Sequence, residues 1–337
     1  MKIVVLHVQR EDMRRAYSTD WVGRDSSPDL RSVMKALHEL GHEASTLALD
    51  LSSFDYLHHL KKNRDVDLVF NLADDGFFLD SRLEPHVSAM LEVLRIPYTG
   101  SNYLTLGMCL HKDLAKDILI SHGIPTPRFR VFKDLQDVDD LRGLRFPLIV
   151  KPQREDASIG INNDSVVYDH VMMKEAVGRL LRDLDQPALV EDYIDGREFQ
   201  VGIIGDSETL PITEMVFSRE NETKPRILNY RAKWVDGSED MKRVNRACPA
   251  VVDKALKQKM VQLALQATSL LSCQDYARVD LRVDKELNPY VLEINPNPDI
   301  REDSEFFDMV KKHGLNYSQF IARIVESAIR RGSKQGW

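Results

Sequence analysis

The stretch Tyr276–Pro298 constrains the chain most. Two runs rich in branched residues, Ala277–Val283 and Tyr290–Ile294, flank a polar segment holding Asn288 and Pro289. That is the pattern of two paired strands joined by a hairpin-like turn. Successive strand side chains point to opposite faces, so Asp280 and Glu293 can share one face, with Asn295 two residues further along the same side. Three oxygen donors of this kind suit Mg²⁺, which is held by one or two carboxylates together with substrate phosphates. A lone strand carboxylate ordinarily faces water, but Glu293 sits inside the apolar run VLEI, where burying it uncompensated costs several kcal/mol. Arg278, two residues before Asp280, shares its strand face and can clamp a phosphoryl group that the metal also touches.

At 337 residues the chain has room for two or three domains and a substantial core. It carries 53 acidic against 46 basic residues without a basic block, which argues against a nucleic-acid partner. No apolar run reaches the roughly 18 residues that suggest a membrane span. MKIVVLHV is followed at once by QREDMRR, so it reads as a first buried strand and not as a signal peptide. The expected location is the cytoplasm. Cys109, Cys248 and Cys273 show no paired spacing, as expected of free thiols in a reducing compartment.

Along the chain, Ile3–Val8 reads as a strand and Pro28–Leu40 as an amphipathic helix closed by Gly41, with Ser26 or Ser27 as its cap. Strands over Glu43–Leu49 and Val66–Leu72 and a helix over Leu83–Arg95 complete an α/β layer with a parallel sheet. Residues 9–27 form a long polar segment where open α/β sheets place substrate-contacting loops. Arg14, Arg15, Tyr17 and Trp21 could there grasp an acidic or aromatic group; the plainer alternative is a surface loop. Lys112–His122 is a helix stopped by Gly123. Pro127–Phe132, Leu148–Val150, Ile159–Asn162 and Ala188–Asp192 suggest a small antiparallel sheet, covered by a helix within Ser165–Asp183. Tyr193–Val216 reads as two strands about a Gly205 turn. The charged stretch Ser218–Asp240, with NYRAKW inside it, reads as a loop over a site. Helices over Val251–Leu270, Glu305–His313 and Tyr317–Arg330 follow.

Lys112 opens a helix, and Lys151 ends the apolar run FPLIVKP just before a small-residue loop with Ala157, Ser158 and Gly160. Ammonium groups beside backbone N–H groups suit polyphosphate, although no Walker A pattern is present. Each lysine alone would be read as a surface residue, but a charge inside FPLIVKP is costly unless an anion meets it. Glu191 and Glu198, at a strand end and on the next strand, can hold an adenine amino group and a ribose hydroxyl pair.

Taken in order, VDLVFNLADDGF, LEVLRIPYTGSN, HKDLAKDILISHGIPTP, FPLIVKPQREDASIG, ALVEDYIDGREFQVGIIG, NYRAKW, CPA, YARVDLRVD and PYVLEINPNPD resemble the ATP-grasp superfamily. The resemblance is to the D-alanine–D-alanine ligase family and covers nearly the whole chain. It implies an ATP-grasp fold of three α/β domains, with ATP held between two antiparallel sheets. The expected divisions are an N-terminal domain over residues 1–105, a central part over 106–192, and a C-terminal part over 193–337 with a mobile loop over 218–245.

The resemblance further implies that Lys112, Lys151 and the Ser158 loop contact ATP phosphates. Glu191 with the Asp192, Tyr193 and Ile194 backbone would meet adenine, and Glu198 the ribose. Lys233 would reach the γ-phosphate, and Arg278 would stabilise the transferring phosphoryl and an acyl phosphate. Asp280, Glu293 and Asn295 would hold two Mg²⁺ ions, with Mn²⁺ as the alternative metal. The implied reaction joins a carboxylate to an amine, and a homodimer through the N-terminal domain is expected.

Three departures alter this expectation. Family members that join two D-alanines carry a glutamate in a first glycine-rich loop, a serine in the phosphate loop and a tyrosine on the mobile loop. Here the first loop is QREDMRRAY, with Glu11 as the candidate replacement, and the other two positions are Ala157 and Trp234. Asp299 stands where a glycine follows the metal segment, while Ser304 matches a serine that binds the second substrate's carboxylate. A site that loses three hydrogen-bonding partners discriminates differently, so a different amino-acid or amine substrate is expected. Asp299 could bind an amine and Arg301 a carboxylate, or both could simply face solvent; Trp234 could cover a larger substrate or pack the lid. The competing readings are a true D-alanine–D-alanine ligase and an ATP-binding regulatory protein without turnover.

Overall fold

The computed structural model describes residues 1–8, 27–218 and 224–337. Glu11, Arg14, Arg15, Tyr17, Trp21 and the Ser26 cap lie outside the described residues. The first part runs β1 (Lys2–His7), α1 (Ser27–Glu39), β2 (Glu43–Ala48), α2 (Ser53–Asn63), β3 (Leu68–Leu72) and α3 (Glu84–Val93). Its strands form a parallel sheet in the order β2-β1-β3, extended by a parallel bridge from Val69 to Tyr98. Helix α2 was not anticipated: in SFDYLHHLKKN only Leu57 among the apolar residues is buried, too thin a stripe to signal a helix. It supplies the crossover that a parallel β2-to-β3 topology demands.

Two further helices, α4 (Tyr103–Leu110) and α5 (Lys112–Ser121), lead into the central sheet. YLTLGMCL in α4 is apolar on nearly every side and so carries no helical period; Asn102 caps it, its side chain accepting from the Thr105 amide at 2.9 Å. The central sheet contains β4 (Phe129–Phe132), β5 (Leu148–Pro152), β6 (Val166–Val167) and, after α6 (His170–Asp183), β7 (Ala188–Asp192). It is antiparallel with order β4-β7-β5-β6. The strand expected over Ile159–Asn162 is absent, and pairing with β5 is made by Val166 and Val167. The reason is local: Ala157, Ser158 and Gly160 have φ of 55°, 61° and 75°, which curls the chain into a tight loop instead of extending it. A Cβ on Gly160 would meet the Pro152 and Leu184 side chains at 2.7 and 2.8 Å. Leu148, Val150, Ala188 and Val190 pack with α6 in one core; alternation therefore turns Lys151 and Glu191 to the opposite face.

The last part contains β8 (Arg197–Ile204), β9 (Glu208–Thr209), β10 (Thr213–Phe217), α7 (Tyr230–Trp234), α8 (Glu239–Lys242), β11 (Val244–Ala247), α9 (Lys254–Leu270), β12 (Tyr276–Val283), β13 (Pro289–Asn295), α10 (Glu305–Lys312) and α11 (Tyr317–Gln335). Its sheet runs β11-β10-β8-β12-β13, with β9 on β8. The segment read as a loop is thus partly helical, and α9 begins three residues later than expected, where Asp253 caps it by accepting from the Leu256 amide. Phe199, Val201, Val279, Leu281 and Val283 pack against α9, leaving Glu198, Gln200, Arg278, Asp280 and Arg282 on the other face. A second core joins Ile3, Val5 and Phe70 of the first sheet to Phe306, Phe320 and Ile324 of the C-terminal helices.

Candidate active site

The site is built on the β12–β13 pair. Asp280 lies opposite Glu293 and Arg278 opposite Asn295, with a register shift between Asp280 and Leu281. That shift adds one residue to β13, so Val291 faces α9 with Leu281 while Glu293 still turns to the face of Asp280. Strict alternation from Val291 alone would have buried the carboxylate in the core. Arg278 holds Asp280 through two bonds, Nε to Oδ1 at 2.7 Å and Nη2 to Oδ2 at 3.0 Å, and lies 3.9 Å from Glu305.

Beside this wall opens a cavity of about 420 Å³, lined by Arg278, Glu293, Asn295, Lys112, Lys233 and Trp234, and also by Asp299, Arg301, Ser304 and Glu305. Burial alone would raise the Glu293 carboxyl, but Lys112, Lys233, Lys151 and Arg278 overcome it and bring Glu293 down to about 2. Burial disfavours the Arg278 charge, yet Asp280, Glu305 and Glu293 outweigh it and hold the guanidinium above its usual range. For Asp280, burial dominates over Arg278 and its carboxyl is pushed up. The Lys112 ammonium donates to the Glu155 carbonyl and lies 3.6 Å from Asp156 and 3.9 Å from Glu293.

Among the described residues no group of three or more His, Cys, Asp or Glu side chains is arranged to hold a metal ion. Asp280 and Glu293 with the Asn295 amide would offer two carboxylates and a carbonyl. These hard oxygen donors fit Mg²⁺ when phosphate and water complete the shell. Both Asp280 oxygens already accept from Arg278, but a carboxylate keeps further lone pairs for a cation.

Of the residues expected at the nucleotide, Lys112 and Lys233 line the cavity, while Lys151, Glu191 and Glu198 lie outside its lining. Lys151 pairs with Glu191 at 2.5 Å, and Lys116 takes the other Glu191 oxygen at 2.8 Å. Glu198 is held by Arg282 at 2.7 Å. Arg282 also donates to the carbonyls of Ile194, at 2.9 Å, and Arg226. Of the Asp192, Tyr193 and Ile194 backbone expected at adenine, the Asp192 and Tyr193 amides donate to the Arg128 and Pro147 carbonyls at 3.0 and 3.1 Å. Asp192 pairs with Arg128 at 2.6 Å.

The phosphate loop and the lid are tied together. The Ser158 hydroxyl donates to the Leu228 carbonyl at 2.8 Å, and the Trp234 indole N–H to the Ala157 carbonyl at 2.6 Å. Trp234 therefore packs the lid onto the loop while still lining the cavity. Asp299 and Arg301 are half-buried and pair with each other at 2.9 Å on the cavity wall, with Asp29 3.4 Å and Asp303 3.8 Å from the same guanidinium. The Ser304 hydroxyl caps α10, accepting from the Phe307 amide at 3.1 Å.

Sequence reasoning missed Lys116, Arg282 and Glu305. The first two had a signal. Lys116 is one helical turn from Lys112, and Arg282 shares the strand face of Arg278 and Asp280.

Residues 118–326 match the family model described as D-ala D-ala ligase C-terminus. The chain belongs to the D-alanine–D-alanine ligase family. It is 31% identical over 309 residues to a D-alanine–D-alanine ligase of Aquifex aeolicus, covering 90% of this chain and 97% of the relative. An uncharacterised protein of Sinorhizobium fredii is 34% identical, with 89% and 87% covered. The crystal structure of a D-alanine–D-alanine ligase from Bacillus anthracis superposes with a TM-score of 0.76 at 26% identity, with 100% of each chain covered. The fold is accordingly the ATP-grasp fold of this family. No described helix is long and apolar enough to cross a membrane.

Proposed function

We propose that this protein is an ATP-dependent carboxylate–amine ligase that forms a dipeptide or amino-acid amide through an acyl phosphate. The observation that carries the reading is the β12–β13 register, which sets Arg278, Glu293 and Asn295 in one cavity wall with Lys112 and Lys233 beside them. A carboxylate oxygen of the first substrate attacks the γ-phosphorus of ATP, the bond to the ADP oxygen breaks, and an acyl phosphate forms. The amine nitrogen then attacks the acyl carbon, the carbon–oxygen bond to phosphate breaks, and the nitrogen gives up a proton.

In this reading Lys112, Lys151 and Lys233 neutralise phosphate charge, and Arg278 meets the oxygens on which charge develops. Ser158 supports the phosphate loop, Ile194 and Glu191 border the base, and Glu198 meets the ribose. Two Mg²⁺ ions held by Asp280, Glu293 and Asn295 would polarise the phosphoryl oxygens. Trp234, closing the lid on the phosphate loop, would keep water from the mixed anhydride.

The substrate side supports an acceptor other than D-alanine. Ala157 and Trp234 stand at two of the changed positions, and Arg301 spends its planar fork on Asp299. The second reading, D-alanine–D-alanine ligation, is favoured by the names of the relatives. One assay separates them: purified protein with ATP, Mg²⁺ and pools of amino acids and amines, following phosphate release and product mass. Phosphate release with D-alanine alone, yielding its dipeptide, would sink the altered-substrate reading. Absence of ATP turnover with every pool would favour a regulatory ATP-binding protein.

A further inference from the structure

On the face of the central sheet away from α6 lies a row of buried charges that the proposed chemistry does not use in full. Lys116 of α5 is 1% exposed and Glu191 of β7 is 1% exposed. The Lys116 ammonium donates to the Thr126 hydroxyl at 2.6 Å, sits 5.8 Å from the centre of the Phe129 ring and pairs with one Glu191 oxygen. Lys151 of β5 pairs with the other oxygen. A single carboxylate is thus shared by two ammonium groups, and the row carries one surplus positive charge.

The surplus is hard to explain by stability. One lysine already balances Glu191, and a second charge taken out of water costs several kcal/mol in its own right. Burial pulls the Lys116 ammonium down to about 8, with Lys151 adding repulsion and Glu191 opposing both. What the second lysine does supply is charge at Lys151. With Lys151 alone, Glu191 would cancel that ammonium; with Lys116 present, Glu191 is already neutralised through its other oxygen.

We propose that Lys116, which meets Glu191 on the face of the central sheet away from α6 and lies outside the cavity lining, is a positioning residue for the nucleotide's phosphates. It cancels the charge of Glu191 so that the ammonium of Lys151 keeps its full charge toward the polyphosphate. The proposal rests on the ligase reading above and assigns no contact between Lys116 and any substrate.

The test is calorimetric binding of ATP, inorganic tripolyphosphate and adenosine to the full-length protein and its variants. In Lys116→Met, ATP and tripolyphosphate should each bind roughly tenfold more weakly, as for one unit charge acting in a partly desolvated site. Adenosine, which carries no phosphate, should change by less than about twofold on the same argument. The double variant Lys116→Met with Glu191→Gln removes one charge of each sign. It should bring tripolyphosphate back to within about threefold of the original protein, because Lys151 is again uncancelled. A merely structural pair would instead lose adenosine and tripolyphosphate together, with no recovery in the double variant, and that result overturns the proposal. So does unchanged tripolyphosphate binding in Lys116→Met. Should that variant fail to fold, Lys116→Gln keeps polar contact with Thr126 without the charge and carries the same expectation. If the unsubstituted protein binds neither ATP nor tripolyphosphate, the ligase reading itself fails; binding that ignores Lys116 defeats only this inference.

Discussion

The two sheets that face each other across the cleft handle buried charge in different ways. On the C-terminal sheet each cation has its own carboxylate: Arg278 holds Asp280 and Arg282 holds Glu198, at 2.7 Å in both cases. On the central sheet one carboxylate, Glu191, serves both Lys116 and Lys151. The balanced wall adds Glu293, kept ionised by lysines around it, and so offers oxygen to a cation. The unbalanced wall offers positive charge to an anion. A metal-bound polyphosphate is complementary to that pair of walls, which is why the difference between them bears on function and not only on packing.

The largest effect is expected on the balanced wall. Arg278→Ala should lower the rate of phosphate release by about 10³-fold or more, the scale of an arginine that stabilises phosphoryl transfer. The dissociation constant for ATP should stay within about threefold, because in the proposed reading Arg278 meets charge that develops in the transition state. Turnover kinetics beside calorimetry checks both halves, and unchanged turnover would break the assignment.

Stability separates the walls next. Arg282→Met strips Glu198 of its ion-pair partner in a buried setting and should cost about 3–5 kcal/mol. Lys116→Met leaves Glu191 paired with Lys151 and should cost only about 1–2 kcal/mol. Urea unfolding of the two variants measures the gap; equal losses would show that the walls are not balanced differently.

The walls should also titrate at opposite ends of the pH scale. Glu293, lowered in the folded protein from 4.5 to about 2, contributes stability that is present above its unfolded value and lost as pH falls through that range. Lys116, lowered from 10.5 to about 8, carries instead a cost for its buried charge that is relieved as pH rises through that window. Between those values the unfolded chain holds a proton that the folded chain has released, so stability rises with pH by at most about 1.4 kcal/mol per unit. Comparing the original protein with Lys116→Met across this window should show that rise missing from the variant. A rise of the same slope in both proteins would assign it to another group.

The smallest change is expected at the lid. Trp234→Phe keeps an aromatic face but removes the N–H that reaches the Ala157 carbonyl, and should raise KM for ATP by about threefold with little change in kcat, the size of one neutral hydrogen bond. A large fall in kcat instead would mean that the indole acts on the substrate and not on the loop.

What could be read in advance depended on whether the signal was local. The β12–β13 pair announces itself because two branched runs and their turn lie within one short stretch. The parallel sheet of the first part was legible from its strands, although α2 was not, since a single buried Leu57 leaves no periodic stripe. The Ile159–Asn162 segment looks extended in composition, yet left-handed backbone at Ala157, Ser158 and Gly160 overrides that preference. The shared carboxylate of the central sheet could not be seen at all. Lys116, Lys151 and Glu191 come from three elements, and only folding brings them within bonding distance. The pairing of Asp299 with Arg301 was local in sequence, but either residue could as well have faced water; the cavity wall decides it.

The most direct test of the central claim is to follow heavy-oxygen label from carboxyl-labelled amino acids into the phosphate released from ATP. Transfer of one labelled oxygen to each phosphate, seen by mass spectrometry and dependent on the carboxylate pool, is predicted, because the acyl phosphate leaves its bridging oxygen with phosphorus. Phosphate that carries no label while ATP is consumed would mean that water, and not a carboxylate, accepts the phosphoryl group, and would contradict the account.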